Sequence, residues 1–285
     1  MKQFQLRKTT SSTPIDYQID YESALNQQQL RAVISSAKRL LILAGAGTGK
    51  TKTLIYKVSR LIESGVPPEQ IVLLTFTRRA AKEMMERATQ LLDDRCQYVQ
   101  GGTFHSFCTQ ILRKYCNHIG YNNEFSILDS ADSIDLIQHV RSTLKIDHRS
   151  QRFPAKGSLA KLFTLHKNKQ LDMRVLLHEY YPQFLVHEKD VIRLFKTYES
   201  YKAKHHIMDF DDLLFNTEKL FIEHPAILEQ VSGTCQYVLV DEFQDTNKIQ
   251  ASLCEYFSSF HQNLTVVGDD AQSIYAFRGS DYENI

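Results

Sequence analysis

Two short stretches, about 190 residues apart, carry side chains that together could hold and cleave a nucleoside triphosphate. The first is Ala44-Gly-Ala-Gly-Thr-Gly-Lys-Thr51. Its glycines, Gly45, Gly47 and Gly49, admit backbone angles closed to other residues, so the N–H groups from Ala44 and Ala46 through Thr48 can converge on phosphate oxygens at a helix N-terminus. Lys50 would then reach the β and γ phosphates and the Thr51 hydroxyl would hold Mg²⁺. The strict pattern opens with Gly where this chain has Ala44. The second stretch, Val238-Leu-Val-Asp-Glu-Phe-Gln-Asp-Thr246, delivers Asp241 and Glu242 at the end of an apolar run. One acid suits the Mg²⁺ shell and the next can polarise an attacking water. Taken alone, that run is equally a strand ending in a solvated turn.

Those side chains need a sheet to bring them together. Leu40 to Leu43 runs straight into the glycine loop, and the stretch from Lys52 to Glu63 reads as a helix, which is the strand-loop-helix order a phosphate loop requires. Ile71 to Thr75, Tyr98 to Gln100 leading into Gly101-Gly102, Tyr237 to Val240, and Leu264 to Val267 are further strand signals, alternating with helical patterns at 78–92 and 248–257. Short continuous apolar strands between helices predict an α/β fold, a P-loop NTPase (RecA-like) parallel sheet covered on both faces. From about 106 to 230 strand signals give way to periodic apolar positions such as Val191, Leu194, Phe195 and Tyr198. The expected organisation is a polar tail at 1–20, a discontinuous ATP-binding α/β domain at 21–105 and 231–285, and an inserted all-helical domain at 106–230.

Three more segments sit where strands hand over to helices, the place where ligands of open α/β sheets collect. Phe76 stands with Thr77 and Arg78, and Phe104 with His105 and Ser106. An aromatic ring beside hydroxyl and basic groups suits stacking on unpaired bases with phosphate contacts alongside; each phenylalanine is equally a core residue. In Val267-Gly-Asp-Asp-Ala-Gln-Ser-Ile-Tyr-Ala-Phe-Arg278, Gln272 can sense a terminal phosphate, and Tyr275 and Phe277 can present rings to a ligand. Asp269-Asp270 also suits a helix cap.

The 285 residues, 42% of them hydrophobic, suffice for one large domain or two and argue against disorder. No apolar run reaches membrane-spanning length and the N-terminus lacks a secretory pattern, so a cytoplasmic setting, nucleoid-associated in a bacterium, or a nuclear one in a eukaryote, is expected. Five cysteines without C-x-x-C spacing support neither disulfides nor a zinc site. A net charge of +1 conceals fourteen Lys/Arg against six Asp/Glu in residues 141–204. That excess is either a polyanion footprint or a solvated helical surface.

Taken together, these motifs resemble the UvrD/Rep/PcrA group of superfamily 1 DNA helicases, from about Ala24 to the chain end. The resemblance places Gln29, in Leu25-Asn-Gln-Gln-Gln29, at the adenine-reading position, so ATP is the expected nucleotide. It assigns Lys50 to the β and γ phosphates, Thr51 and Asp241 to Mg²⁺, Glu242 to the water, Gln272 to the γ-phosphate, and Gln244 to coupling. Phe76, Arg78, His105, Tyr275 and Phe277 would line a single-strand path. Arg78 replaces an asparagine common in the family, and Phe277 a tryptophan. Met208 to Leu214 also resembles a family motif and reads equally well as an acidic helix cap. The implied partners are single-stranded DNA, duplex/single-strand junctions and a second motor domain bearing arginines, with 3′→5′ polarity and little activity expected from these residues alone. The competing readings are a P-loop phosphotransferase and a non-catalytic nucleotide-binding module.

Overall fold

A computed structural model describes residues 16–146 and 153–269. Gln272, Tyr275 and Phe277 lie outside them. Five parallel strands form the sheet: β1 (Arg39–Leu43), β2 (Ile71–Thr75), β3 (Gln100–Thr103) and, after a long excursion, β6 (Tyr237–Val240) and β7 (Leu264–Gly268). Their order is β1-β7-β6-β2-β3. The late strands β6 and β7 enter between β1 and β2, and this sets the chain's two distant motifs side by side. Val72 pairs with Val238 and Leu43 with Gly268. β2 and β7 are buried along their whole length, as strands with helices on both faces must be.

Helices α1 (Tyr21–Ala24), α2 (Gln27–Ile34), α3 (Lys50–Glu63), α4 (Arg78–Leu91) and α5 (Phe104–Tyr115) accompany the first three strands. On one face Leu54, Val58 and Ile62 of α3 and Met84 and Ala88 of α4 pack on Ile71, Leu73 and Leu239. On the other, α5, α10 (Phe210–Glu223), α11 (Pro225–Thr234) and α12 (Lys248–Ser258) cover Val72, Leu74, Val238 and Val240.

The remaining helices, α6 (Ser130–Thr143), α7 (Lys156–Lys169), α8 (Met173–Tyr180) and α9 (Glu188–Lys204), build a separate core around Leu159, Leu162, Leu176, Val191 and Leu194. The stretch 106–230 therefore holds two packing environments, since α5, α10 and α11 belong to the core of the sheet. It is also not wholly helical: β4 (Ser126–Ile127) and β5 (Ile207–Met208) form a two-residue parallel ladder where the chain leaves and re-enters the sheet body.

Two further expectations shift. Tyr98 and Val99 are not in a strand; Asp93 caps the Arg95 N–H and winds 94–98 into a 3₁₀ turn, so β3 starts at Gln100. Residues 17–20 of the expected tail are docked: Tyr17 and Ile19 pack with Tyr21, the Arg60 guanidinium lies 4.1 Å from the Tyr17 ring, and the Gln18 N–H donates to Glu63 at 2.6 Å.

Candidate nucleotide site and nucleic-acid path

The glycine loop joins β1 to α3, where Gly47 and Gly49 take φ of +71° and +86°. A β-carbon at Gly49 would be strained by the backbone angle and, 2.7 Å from Gln29 Nε2, would displace that amide from Thr48 O. No side chain caps α3. Its first amides are left to a ligand at a site where the helix dipole favours an anion.

Lys50, at the first position of α3, is 8% exposed, with Nζ 3.3 Å from Glu242 Oε2 and 3.6 Å from Asp269 Oδ2. Among the described residues its ammonium has no hydrogen-bond partner. A buried ammonium normally requires such partners. The Thr51 hydroxyl donates to Asp241 Oδ2 at 3.3 Å, giving two hard oxygens of the kind Mg²⁺ prefers. Asp241 extends β6 by donating its N–H to Leu74 O at 2.9 Å. Burial, then the charge of Glu242, pushes its carboxyl up to about 6. Asp245 is likewise raised to about 6, by burial and then Glu242, and among the described residues its Oδ1 has no hydrogen-bond partner. The orphaned ammonium, the uncapped helix and the paired oxygens fit a phosphate chain with a divalent cation.

Glu242 has φ 52° and ψ 46°. For a residue other than glycine this left-handed geometry costs on the order of 1–3 kcal/mol. The gain is orientation: Gln244 Nε2 donates to Glu242 Oε2 at 2.8 Å, and Gln244 Oε1 accepts the Asp269 N–H at 3.0 Å. The 2%-exposed Gln244 thus fixes Glu242 to the end of β7.

Gln29 lies against the loop, but its amide is engaged. Nε2 donates to Thr48 O at 2.9 Å, and its carbonyl oxygen accepts the Asn26 N–H at 3.2 Å within a capping box. It ties α2 to the phosphate loop. Lys57 adds a second tie, donating to the Ala32 and Ser35 carbonyls at the end of α2. Burial, then Arg60, lowers the Lys57 ammonium to about 8.

Phe76 and Thr77 follow β2 and share a cavity of about 540 Å³ with Thr51, Asp241, Glu242, Gln244 and Asp245. Thr77 caps α4, and Arg78 opens that helix exposed to solvent. Phe104 is different: at 2% exposure it belongs to the core with Val72 and Leu74, so its ring cannot stack on a base. Its neighbour His105 is half-buried, and burial lowers its imidazole to about 4, leaving it neutral at physiological pH. The His105 ring meets Phe210 edge-on at 5.9 Å, and Phe210 is 42% exposed. Phe210 sits in the acidic motif read as a helix cap, which it is: Asp209 and Asp212 form a capping box around it. The signal for Phe210 was an aromatic residue at the first, outward position of a capped helix. A second cavity, of about 550 Å³, lies among α6, α7, α9 and the start of α10, with Phe210 in its lining, and contains none of the candidate nucleotide-site residues.

Residues 25–285 match the model of the UvrD/REP helicase N-terminal domain. The chain belongs to that family. It is 36% identical over 264 residues to the ATP-dependent DNA helicase PcrA of Staphylococcus aureus, covering 92% of this chain and 35% of that protein. The PcrA of Staphylococcus epidermidis is 37% identical over 265 residues, with the same coverage. The chain thus spans about a third of the length of these relatives. The five-stranded parallel sheet with its glycine loop is the P-loop NTPase fold of the UvrD family. Among the described residues no helix is long and apolar enough to cross a membrane.

Proposed function

We propose that this chain is the nucleotide-binding part of an ATP-dependent DNA helicase that moves 3′→5′ along single-stranded DNA and opens duplexes at single-strand junctions. The observation that carries the reading is the buried Lys50 ammonium, held between Glu242 and Asp269 without a hydrogen bond, beside Thr51 and Asp241. The names of the staphylococcal relatives support the reaction class.

In this reading Lys50 and the amides of Ala44 to Thr51 bind the β and γ phosphates. Thr51 and Asp241 hold Mg²⁺, which when bound neutralises developing phosphate charge. Glu242, aimed by Gln244, orients the attacking water and accepts its proton. Gln29 holds the loop and offers its remaining amide valences to adenine; Gln272, outside the described residues, would contact the γ-phosphate. Phe76, Thr77, Arg78, His105 and Phe210 line the single-strand path, with Tyr275 and Phe277 expected to continue it. Because Phe76 and Thr77 share a cavity with the carboxylates, strand movement and nucleotide state would be felt by the same loop.

The motor domain would comprise 21–105 and 231–285 together with α5, α10 and α11, and the inserted unit α6 to α9. Gly45 to Thr48 face solvent, as one wall of a cleft closed by a second motor domain would. Turnover by these 285 residues alone is therefore expected to be low. The setting would be the bacterial cytoplasm or a eukaryotic nucleus.

Glu242→Gln tests the assignment. Losing a positioned general base costs about 10²–10⁴ in rate. Single-turnover hydrolysis, measured with and without single-stranded DNA, should fall by that factor while ATP binding stays within a few-fold. Hydrolysis at the wild-type rate would sink the role given to Glu242. Turnover indifferent to DNA in the wild type would favour the phosphotransferase reading instead.

A further inference from the structure

Resting on the reading of Gln29 as the contact to adenine, we propose that Lys57 is a positioning residue for base recognition. By clamping the end of α2 it sets the orientation of the Gln29 amide, and with it the preference for adenine over guanine.

α2 is eight residues long and buries one of them, Val33. A helix so short is marginal without outside contacts, so polar ties must place it. At its start Gln29 spans from the Asn26 N–H to Thr48 O. At its end the last carbonyls lack intrahelical partners. Lys57, on α3, fills that gap: Nζ donates to Ala32 O at 3.1 Å and to Ser35 O at 3.2 Å. A cation there also suits the negative end of the helix dipole.

Lys57 is 4% exposed, and among the described residues its bonds go to carbonyls and to no carboxylate. Burial lowers its ammonium to about 8. An apolar side chain could fill this space without desolvating a charge. What it could not do is fix two particular carbonyls. Gln29 and Ala32, three residues apart, lie on one face of α2 and about 4.5 Å apart along its axis. The contacts at Thr48 and Lys57 therefore hold the helix at two points, which stops it from sliding or rotating on α3.

Rotation matters because of what remains on Gln29. A glutamine amide has two N–H groups and two lone pairs on its oxygen. Thr48 O takes one N–H, and the Asn26 N–H takes one lone pair. One donor and one acceptor are left side by side. They match the edge of adenine, an amino donor beside a ring-nitrogen acceptor, and mismatch that of guanine, where both groups accept. The phosphates are served instead by Lys50 and the loop amides, which are carried by α3 and β1. Loss of Lys57 should thus affect the base and spare the phosphates.

The test measures equilibrium binding of ATP, GTP and inorganic tripolyphosphate, each with Mg²⁺, to the 285-residue chain and to its Lys57→Met and Lys57→Gln variants. A well-aimed bidentate amide discriminates between bases by about five- to a hundredfold. The ATP-to-GTP affinity ratio of the wild type should lie in that range and fall to about 1 in Lys57→Met, with tripolyphosphate affinity kept within about twofold. Lys57→Gln, neutral and one bond shorter, should give a ratio between the two, and it carries the test by itself if Lys57→Met does not fold. A wild-type ratio in either variant would overturn the proposal. So would equal losses on all three ligands, the result of a merely structural role. A wild type with no preference for ATP over GTP would instead remove the adenine reading of Gln29, and the proposal with it.

Discussion

The chain buries lysines against carboxylates in two places. Where the inserted unit meets α10, Lys202, 1% exposed, reaches Asp209 and Asp212 at 2.6 Å each. Lys167 reaches Asp212 at 2.5 Å and Glu199 at 3.0 Å. Tyr198 donates to Asp209 at 3.0 Å, and the two acids cap α10 reciprocally. Burial works against the charge of Asp209, yet Lys167 and Lys202 outweigh it and hold the carboxyl well below the usual range. In the candidate nucleotide site Lys50 is similarly buried, but among the described residues its ammonium has no hydrogen bond, and the nearby Asp241 and Asp245 are pushed up to about 6. Both places hold a carboxyl raised by burial, Asp212 in the first, and an oxygen without a hydrogen bond among the described residues, Glu199 Oε1 and Asp245 Oδ1; what separates them is the ammonium, hydrogen-bonded in the first and not in the second. A hydrogen-bonded ammonium supports a fold, whereas a starved one holds electrostatic capacity for something that arrives.

The largest expected effect lies in the cluster around Lys202. Lys202→Met leaves one ammonium among three acids, and removing one member of a buried ion-pair network costs about 3–5 kcal/mol. Chemical denaturation should register that loss. A variant within 1 kcal/mol of the wild type would show that water or neighbouring charges replace Lys202, and the contrast between the clusters would fail.

That cluster was invisible in the sequence, and the reason is physical. Lys167 stands on α7, Lys202 near the end of α9 and Asp209 at the cap of α10, so no single helical spacing announces them. Both were counted in the basic excess of residues 141–204, which therefore overstates the surface charge by two. The phosphate loop and the ends of β2 and β6 were legible because their chemistry is local: strand, special backbone angle and side chain follow within ten residues. Phe104 misled because a Thr-x-x-Ser capping box after a strand carries the same residue types as a ligand loop, and only the helix's packing decides which ring turns inward. Phe210 was hidden by the reverse error, a true cap that also displays a ring. Gln244 could be named from its motif, but its bridge to Asp269 spans 25 residues and needed the parallel order of β6 and β7.

A smaller effect of opposite sign is expected in the starved site. The folded-state value of Asp241, about 6, lies above the ordinary value of 3.8, so the folded chain binds more protons than the unfolded one between those pH values. Its contribution therefore falls as pH rises from about 4 through 6 and is unfavourable at neutral pH. Asp241→Asn, measured with a chelator present, should stabilise the chain by about 1–3 kcal/mol at pH 7.5 and by almost nothing near pH 4. Asp209 behaves conversely: its lowered value gives stability that is present at neutral pH and fades as pH drops below 3.8. A pH-independent effect of Asp241→Asn would mean that its carboxyl is solvated in the folded chain.

The smallest change in stability separates the two lysines most directly. Replacing Lys50 by Met removes an ammonium that has lost its hydration and gained no hydrogen bond, together with ion pairs at 3.3 Å and 3.6 Å. Desolvation and attraction then nearly cancel, as they often do when a buried charge gives way to an apolar side chain of similar volume, so stability should shift by about 1 kcal/mol or less. The rise in melting temperature on adding Mg²⁺ and ATP should disappear in the same variant, because that ammonium is the only buried cation facing the loop among the described residues. If Lys50→Met instead costs as much as Lys202→Met, then Glu242 and Asp269 need the lysine to fold, and the candidate nucleotide site is a structural ion cluster of the same kind as its counterpart around Lys202.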